Sequence, residues 1–103
     1  IGILAAIAIP VFLGQQNQAR EAATKSDLAN AKVALLAYAT ANDGAYTTTA
    51  ADLAEFGFVQ SGDTTSIAID SASSAGICIE ATSSTTNSFY ITDDGGTEDG
   101  LCP

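Results

Sequence analysis

Residues 14–44 read GQQNQAREAATKSDLANAKVALLAYATANDG, and this stretch decides the architecture. After Gly14 it holds no Pro and no Gly until its end, and Ala, Leu, Gln, Glu and Lys dominate it, which is the composition of a helix. Leu28, Ala31, Leu35, Tyr38 and Ala39 follow the i, i+3, i+4, i+7 spacing of one buried stripe. The next position on that stripe, Asn42, is polar, so the stripe ends there. Arg20, Glu21, Lys25, Asp27 and Lys32 punctuate the other faces, with Glu21 and Lys25 forming a favourably oriented i,i+4 pair. Asn42-Asp43-Gly44 supplies the stop, since Gly44 can take the left-handed conformation that ends a helix.

Working outward to the N-terminal side, residues 1–13 (IGILAAIAIPVFL) carry no charge and no polar side chain. As a helix this run is about 20 Å long, short of the roughly 30 Å of a bilayer core. A signal-peptide hydrophobic region would follow a basic segment and be removed from the mature chain. The run reads instead as the C-terminal half of a longer apolar helix. Joined to the stretch that follows, it predicts one helix over about residues 1–42, some 60 Å long at ~1.5 Å per residue. A domain of this size cannot bury such a helix. Residues 1–27 are therefore expected to protrude, and residues 28–103 to form a globular head.

On the other side, Thr49 is placed to cap a short helix over Ala50–Phe56 that Gly57 ends. Three stretches then alternate with period two: Ser66–Asp70, Ile77–Ala81 and Ser88–Thr92. The Ser/Thr/Gly/Asn tracts 61–65, 71–76 and 82–87 read as turns between them. The expected fold is α+β, with a small antiparallel sheet of about three strands packed on the C-terminal half of the long helix. The tail DDGGTEDGLCP reads as a loop anchored at Cys102.

Composition narrows the function. The chain has 103 residues, 3 Lys+Arg against 12 Asp+Glu, a formal charge of −9 and no His. Lack of His removes the usual general base near neutral pH and the commonest zinc ligand. No nucleophile elbow, P-loop, dinucleotide fingerprint or C-x-x-C occurs, so no catalytic residue is assigned and no cofactor is expected. The acidity argues against direct nucleic-acid binding. All three bases, Arg20, Lys25 and Lys32, lie in the helix, while residues 33–103 carry ten acids and no base. Asp93, Asp94, Glu98 and Asp99 offer hard oxygens, but their spacing is not that of an EF-hand, and they read as a solvated acidic loop without a metal. Seven scattered aromatic rings serve a core better than a stacking platform. The tracts Thr47–Thr49, Ser71–Ser74 and Ser83–Thr86 read equally as solvated turns or O-glycosylation sites, and no N-x-S/T sequon is present.

The run GILAAIAIP, followed by Val11-Phe12 and an amphipathic helix, resembles the N-terminal helix of type IV pilins and pseudopilins. Tyr38, Asn42-Asp43-Gly44-Ala45-Tyr46, then Asp52-Leu53 and Gly57-Phe58, resemble that family's helix-to-loop junction. Cys78 and Cys102 are placed like the disulfide that bounds the pilin C-terminal loop. The cleavage site, the methylated first residue and the glutamate near the mature N-terminus have no counterpart here, and by comparison roughly a dozen mature residues would precede Ile1. In an exported chain the two cysteines would close a disulfide worth about 3.5 kcal/mol by chain entropy; in a reducing compartment they would be two thiols.

The resemblance implies a structural subunit of an extracellular type IV-like pilus. Such a subunit is membrane-anchored in the inner or cytoplasmic membrane before assembly, served by a pilus assembly machinery, and acts in adhesion or motility. The filament-core residues would be Ile1, Ile3, Leu4, Ile7, Ile9, Val11, Phe12 and Leu13. An independent physical argument points the same way, because a protruding helix that is apolar all round is insoluble unless it lies in lipid or against copies of itself. Burying thirteen such residues yields roughly 20–30 kcal/mol gross before ordering costs. Hydrocarbon and a helix bundle are similar solvents for it, and Gly2, Ala5, Ala6 and Ala8 allow close helix approach. Two rival readings are a pseudopilin of a type II secretion or competence apparatus and a monomeric membrane-anchored exported binding domain.

Gly2 and Pro10 bracket a weak segment, because Pro10 has no N–H for the carbonyl of Ala6 and Gly2 lowers helix propensity. In a filament, part of residues 2–10 is expected to melt. A filament structure checks this through the Gly2–Pro10 Cα separation, which is about 12 Å if helical and up to roughly 26 Å if extended.

Overall fold

A computed structural model describes residues 15–103 in full, with the helical assignment reaching back to Gly2. Ile1, Ile3, Leu4, Ile7, Ile9, Val11, Phe12 and Leu13, and the expected melting between Gly2 and Pro10, lie outside the described residues. Helix α1 (Gly2–Ala41) is followed by a short 3-10 helix (Ala50–Phe56) and four strands: β1 (Thr64–Ser73), β2 (Gly76–Ser83), β3 (Ser88–Thr92) and β4 (Thr97–Asp99). The strands form one antiparallel sheet in the order β1-β2-β3-β4, and α1 lies across one of its faces. The α+β architecture read from the pattern is the one observed.

Sheet and helix meet because their periods match. Ile77, Ile79 and Ala81 of β2 alternate with Phe89 and Ile91 of β3 on one face, joined by Ile69 of β1, and all are buried. Leu28, Ala31 and Leu35 are fully buried against them, and Leu53 and Phe58 close the end of this core. Tyr38 meets Phe56 edge to face, with ring centroids 5.8 Å apart.

Both helix stops behave as their residues dictate. Gly44 has φ 88° and its N–H reaches back to the carbonyl of Ala39 at 2.7 Å. Gly57, φ 89°, ends the 3-10 helix.

Four readings need correction. The sheet has four strands rather than three, because Asp94-Gly95-Gly96 turns the tail back and Thr97, Glu98 and Asp99 pair with Ile91, Tyr90 and Phe89. The tail is thus part of the sheet. The hairpin β1–β2 extends into the Ser/Ala tract 71–76, with register shifts at Thr64/Ser66 and Ile69/Ser71. Thr49 occupies the N-cap position without a side-chain bond to the helix; the Thr47 hydroxyl accepts from the Thr49 N–H and donates to Asp52, bracing the approach to that helix. Asp27 is not on a solvated face but only 5% exposed. One of its carboxylate oxygens accepts from the Ser61 N–H at 2.9 Å, the Ser61 hydroxyl at 2.8 Å and the Thr64 hydroxyl at 2.6 Å. Buried Thr24, one turn earlier, donates to the carbonyl of Asp63 at 3.3 Å.

This cluster ties α1 to the start of β1 over 34 to 40 positions of sequence. Asp27→Ala should lower unfolding free energy by about 2–3 kcal/mol, since it strands the half-buried donors of Ser61 and the buried hydroxyl of Thr64. Urea denaturation measures this, and a change below about 0.5 kcal/mol would mean that water replaces the carboxylate at no cost.

Candidate functional site

Three surfaces are candidates for function: the outward side of α1, the C-terminal segment, and the outer face of the sheet. The head grips α1 from Glu21 onward, and residues 15–20 are exposed on every side. Beyond Glu21 the outward line of the helix runs Ala22, Ser26, Ala29, Val33, Leu36, Thr40, all exposed and all uncharged. Val33 is 68% exposed and Leu36 40%. Glu21, Lys25 and Lys32 sit instead on its flanks, where they meet the head.

Each flank contact has a physical cause. Glu21 does not pair primarily with Lys25. Its carboxylate accepts from the Thr85 hydroxyl at 2.7 Å and from the Asn87 amide, both on the β2–β3 turn. That turn holds Thr86 at φ 75°, a conformation β-branched residues rarely adopt. Lys25 lies over the Phe89 ring, 4.9 Å from its centroid, where the cation meets the negative face of the ring. Lys32 donates to the carbonyls of Asp93 at 3.3 Å and Gly95 at 3.2 Å, so an ammonium occupies the main-chain oxygens of the β3–β4 turn.

The C-terminal segment is held covalently and by a hydrogen bond. Cys78 and Cys102 form a disulfide with Cα atoms 6.1 Å apart. The Cys102 N–H donates to Glu80 at 3.0 Å, which lays the segment over the outer face of the sheet. The acids from Asp43 onward are exposed or half-buried, none fully buried. Asp93 turns one oxygen to the Ile77 N–H at 3.1 Å. Among the described residues the surface has no pocket and no group of three or more metal-ligating side chains, and no helix is long and apolar enough to cross a membrane. No family model matches the chain, and no curated protein matches it.

Of the residues singled out in the sequence, Cys78 and Cys102 are brought together. Sequence reasoning missed the anchoring roles of Thr24, Asp27 and Lys32. Their partners lie 34 or more positions away, so periodicity alone gives no local sign of them.

Two of these contacts carry a pH signature. Donation from Thr85 and then Asn87 holds the Glu21 carboxyl below its ordinary value, against an opposing effect of desolvation, with a lesser lowering from Lys25. The Ile77 N–H does the same for Asp93, its largest cause, and the Lys32 charge contributes. A carboxyl whose folded value is depressed stabilises the fold above its unfolded value, and that stabilisation is lost as pH falls through the folded one. Denaturation midpoints should therefore decline below about pH 4.5. Glu21→Gln should flatten that decline; a midpoint profile identical to that of the unaltered chain would show that the Glu21 contacts do not matter to the fold.

Proposed function

We propose that this chain is the structural subunit of an extracellular type IV-like pilus, without catalytic activity, polymerising through its apolar N-terminal helix. One observation carries the reading. The head holds α1 only from Glu21 onward, and the free part of the helix leads into thirteen residues with no polar side chain. An apolar rod on an acidic head has two stable settings, a bilayer and a bundle of its own kind. The subunit waits in the first and works in the second, passed between them by an assembly machinery. Repeated head-to-tail contact between identical copies builds a filament when its rotation does not close into a ring.

The form of the head supports the same reading. The uncharged outward line of α1 lets a neighbour pack against the helix without burying a charge. A head closed by a disulfide and lacking a pocket among its described residues suits a building block better than a binding module. Nucleic acid is not a partner, given a formal charge of −9.

Electron microscopy and sedimentation of native material test the proposal. Long surface filaments that react with antibody to the head are expected, with residues 1–13 protected from hydrogen exchange on assembly. Short envelope-confined rods would favour a pseudopilus, and a monodisperse membrane-anchored monomer would end the filament reading.

A further inference from the structure

Three Asp-Gly steps occur in the chain: Asp43-Gly44, Asp94-Gly95 and Asp99-Gly100. Such a step is chemically weak, because glycine has no side chain to keep its amide nitrogen away from the preceding carboxyl. The nitrogen can attack Cγ of the aspartate, closing a cyclic succinimide and expelling water. Whether it does so depends on how firmly the fold holds that nitrogen.

Two of the three nitrogens are held. The Gly44 N–H donates to the carbonyl of Ala39 at 2.7 Å in the stop of α1, and the Gly100 N–H donates to the carbonyl of Ser88 at 2.9 Å. Asp99 is also fixed in β4, where it pairs with Phe89. Attack at either step must first break a hydrogen bond and displace ordered backbone. Gly95 is different. Among the described residues its N–H donates to nothing, and it does not share the positive φ of Gly44 and Gly100. Asp94, Gly95 and Gly96 are all exposed in the β3–β4 turn, and the second glycine adds to its pliancy. Lys32 holds a positive charge on this same turn, 3.3 Å from the carbonyl of Asp93 and 3.2 Å from that of Gly95. A cation there favours the amide anion that makes the attack.

We propose that the Asp94-Gly95 peptide is a site of spontaneous modification, rearranging through a succinimide to a β-linked isoaspartyl bond that releases the turn from Lys32. In the first step the bond between Gly95 N and Asp94 Cγ forms, and the amide proton leaves with the carboxyl's hydroxyl as water. Water then opens the ring. At Cγ it restores aspartate; at the α-carbonyl carbon it breaks the original peptide bond and leaves the main chain running through Cβ and Cγ. Atoms balance without oxidant or cofactor, and the mass of the chain is unchanged. The product has one more backbone atom between the carbonyls of Asp93 and Gly95, so the two no longer converge on one ammonium. Strand β4 starts two residues further on, at Thr97, and its pairing with β3 loosens. The reaction needs no neighbouring copy, so it does not rest on the filament reading.

Incubation of the full chain in detergent micelles at neutral pH, in heavy-oxygen water, tests this through electron-transfer fragmentation of its peptides. Heavy oxygen and the β-linkage should accumulate at Asp94 about tenfold faster than at Asp43 or Asp99. Gly95→Ala places its methyl in open space and should keep the fold while slowing the reaction at Asp94 about tenfold. Equal accumulation at the three steps, or an unchanged rate in G95A, would overturn the site. In the β-linked fraction, separated by chromatography, hydrogen exchange at Thr97–Asp99 should be faster than in the parent chain. Exchange there at the parent rate would overturn the release from Lys32.

Discussion

Forty residues of helix rise about 60 Å, whereas the longest strand, ten residues, spans roughly 33 Å. The sheet can therefore cover only about half of α1, and the rest of the molecule is arranged around that mismatch. Leu28, Ala31 and Leu35 take the covered half into the core. The head has to seal the place where it lets go of the helix, which the hydrogen bonds of Thr85 and Asn87 to Glu21 accomplish at one edge and the Thr24–Asp27–Thr64 cluster at another.

A helix with a stripe of Leu and Ala can slide along a sheet of Ile and Ala by a turn at small loss of apolar burial. Polar contacts remove that freedom because each is satisfied in one position only. Asp27 finds Ser61 and Thr64, Glu21 finds the β2–β3 turn, and Lys32 finds the β3–β4 turn, at three heights along α1. The apolar stripe thus supplies most of the adhesion, and the polar side chains set the register. A buried carboxylate is tolerable in this role because three donors converge on one of its oxygens.

How much of this was legible in the sequence follows from the range of each interaction. The extent of α1, the left-handed glycines 44 and 57 and the three longer strands are local matters, and periods of 3.6 and 2 with Gly punctuation reveal them. The fourth strand was hidden because Thr97–Asp99 is three residues long and acidic, too short to show a period, although Asp94-Gly95 signals a turn. Asp27 was misplaced because helical spacing gives a side chain's direction but not its distant partner. Likewise Glu21 and Lys25 are neighbours on the helix, yet tertiary groups claim both, a hydroxyl and an amide for one and an aromatic ring for the other. The pairing of Cys78 with Cys102 needed only that there were two cysteines and an oxidising setting.

Strand β1 lies at one side of the sheet, ten residues long, with no Lys or Pro to discourage pairing. An unguarded border of that kind is a template for another chain's backbone. It is broken twice, at Thr64/Ser66 and at Ile69/Ser71, so its hydrogen-bonding groups do not present an unbroken ladder. Two irregularities of this kind weaken edge-to-edge pairing between neighbouring sheets wherever heads crowd together. The head can then be crowded without its fold becoming the glue.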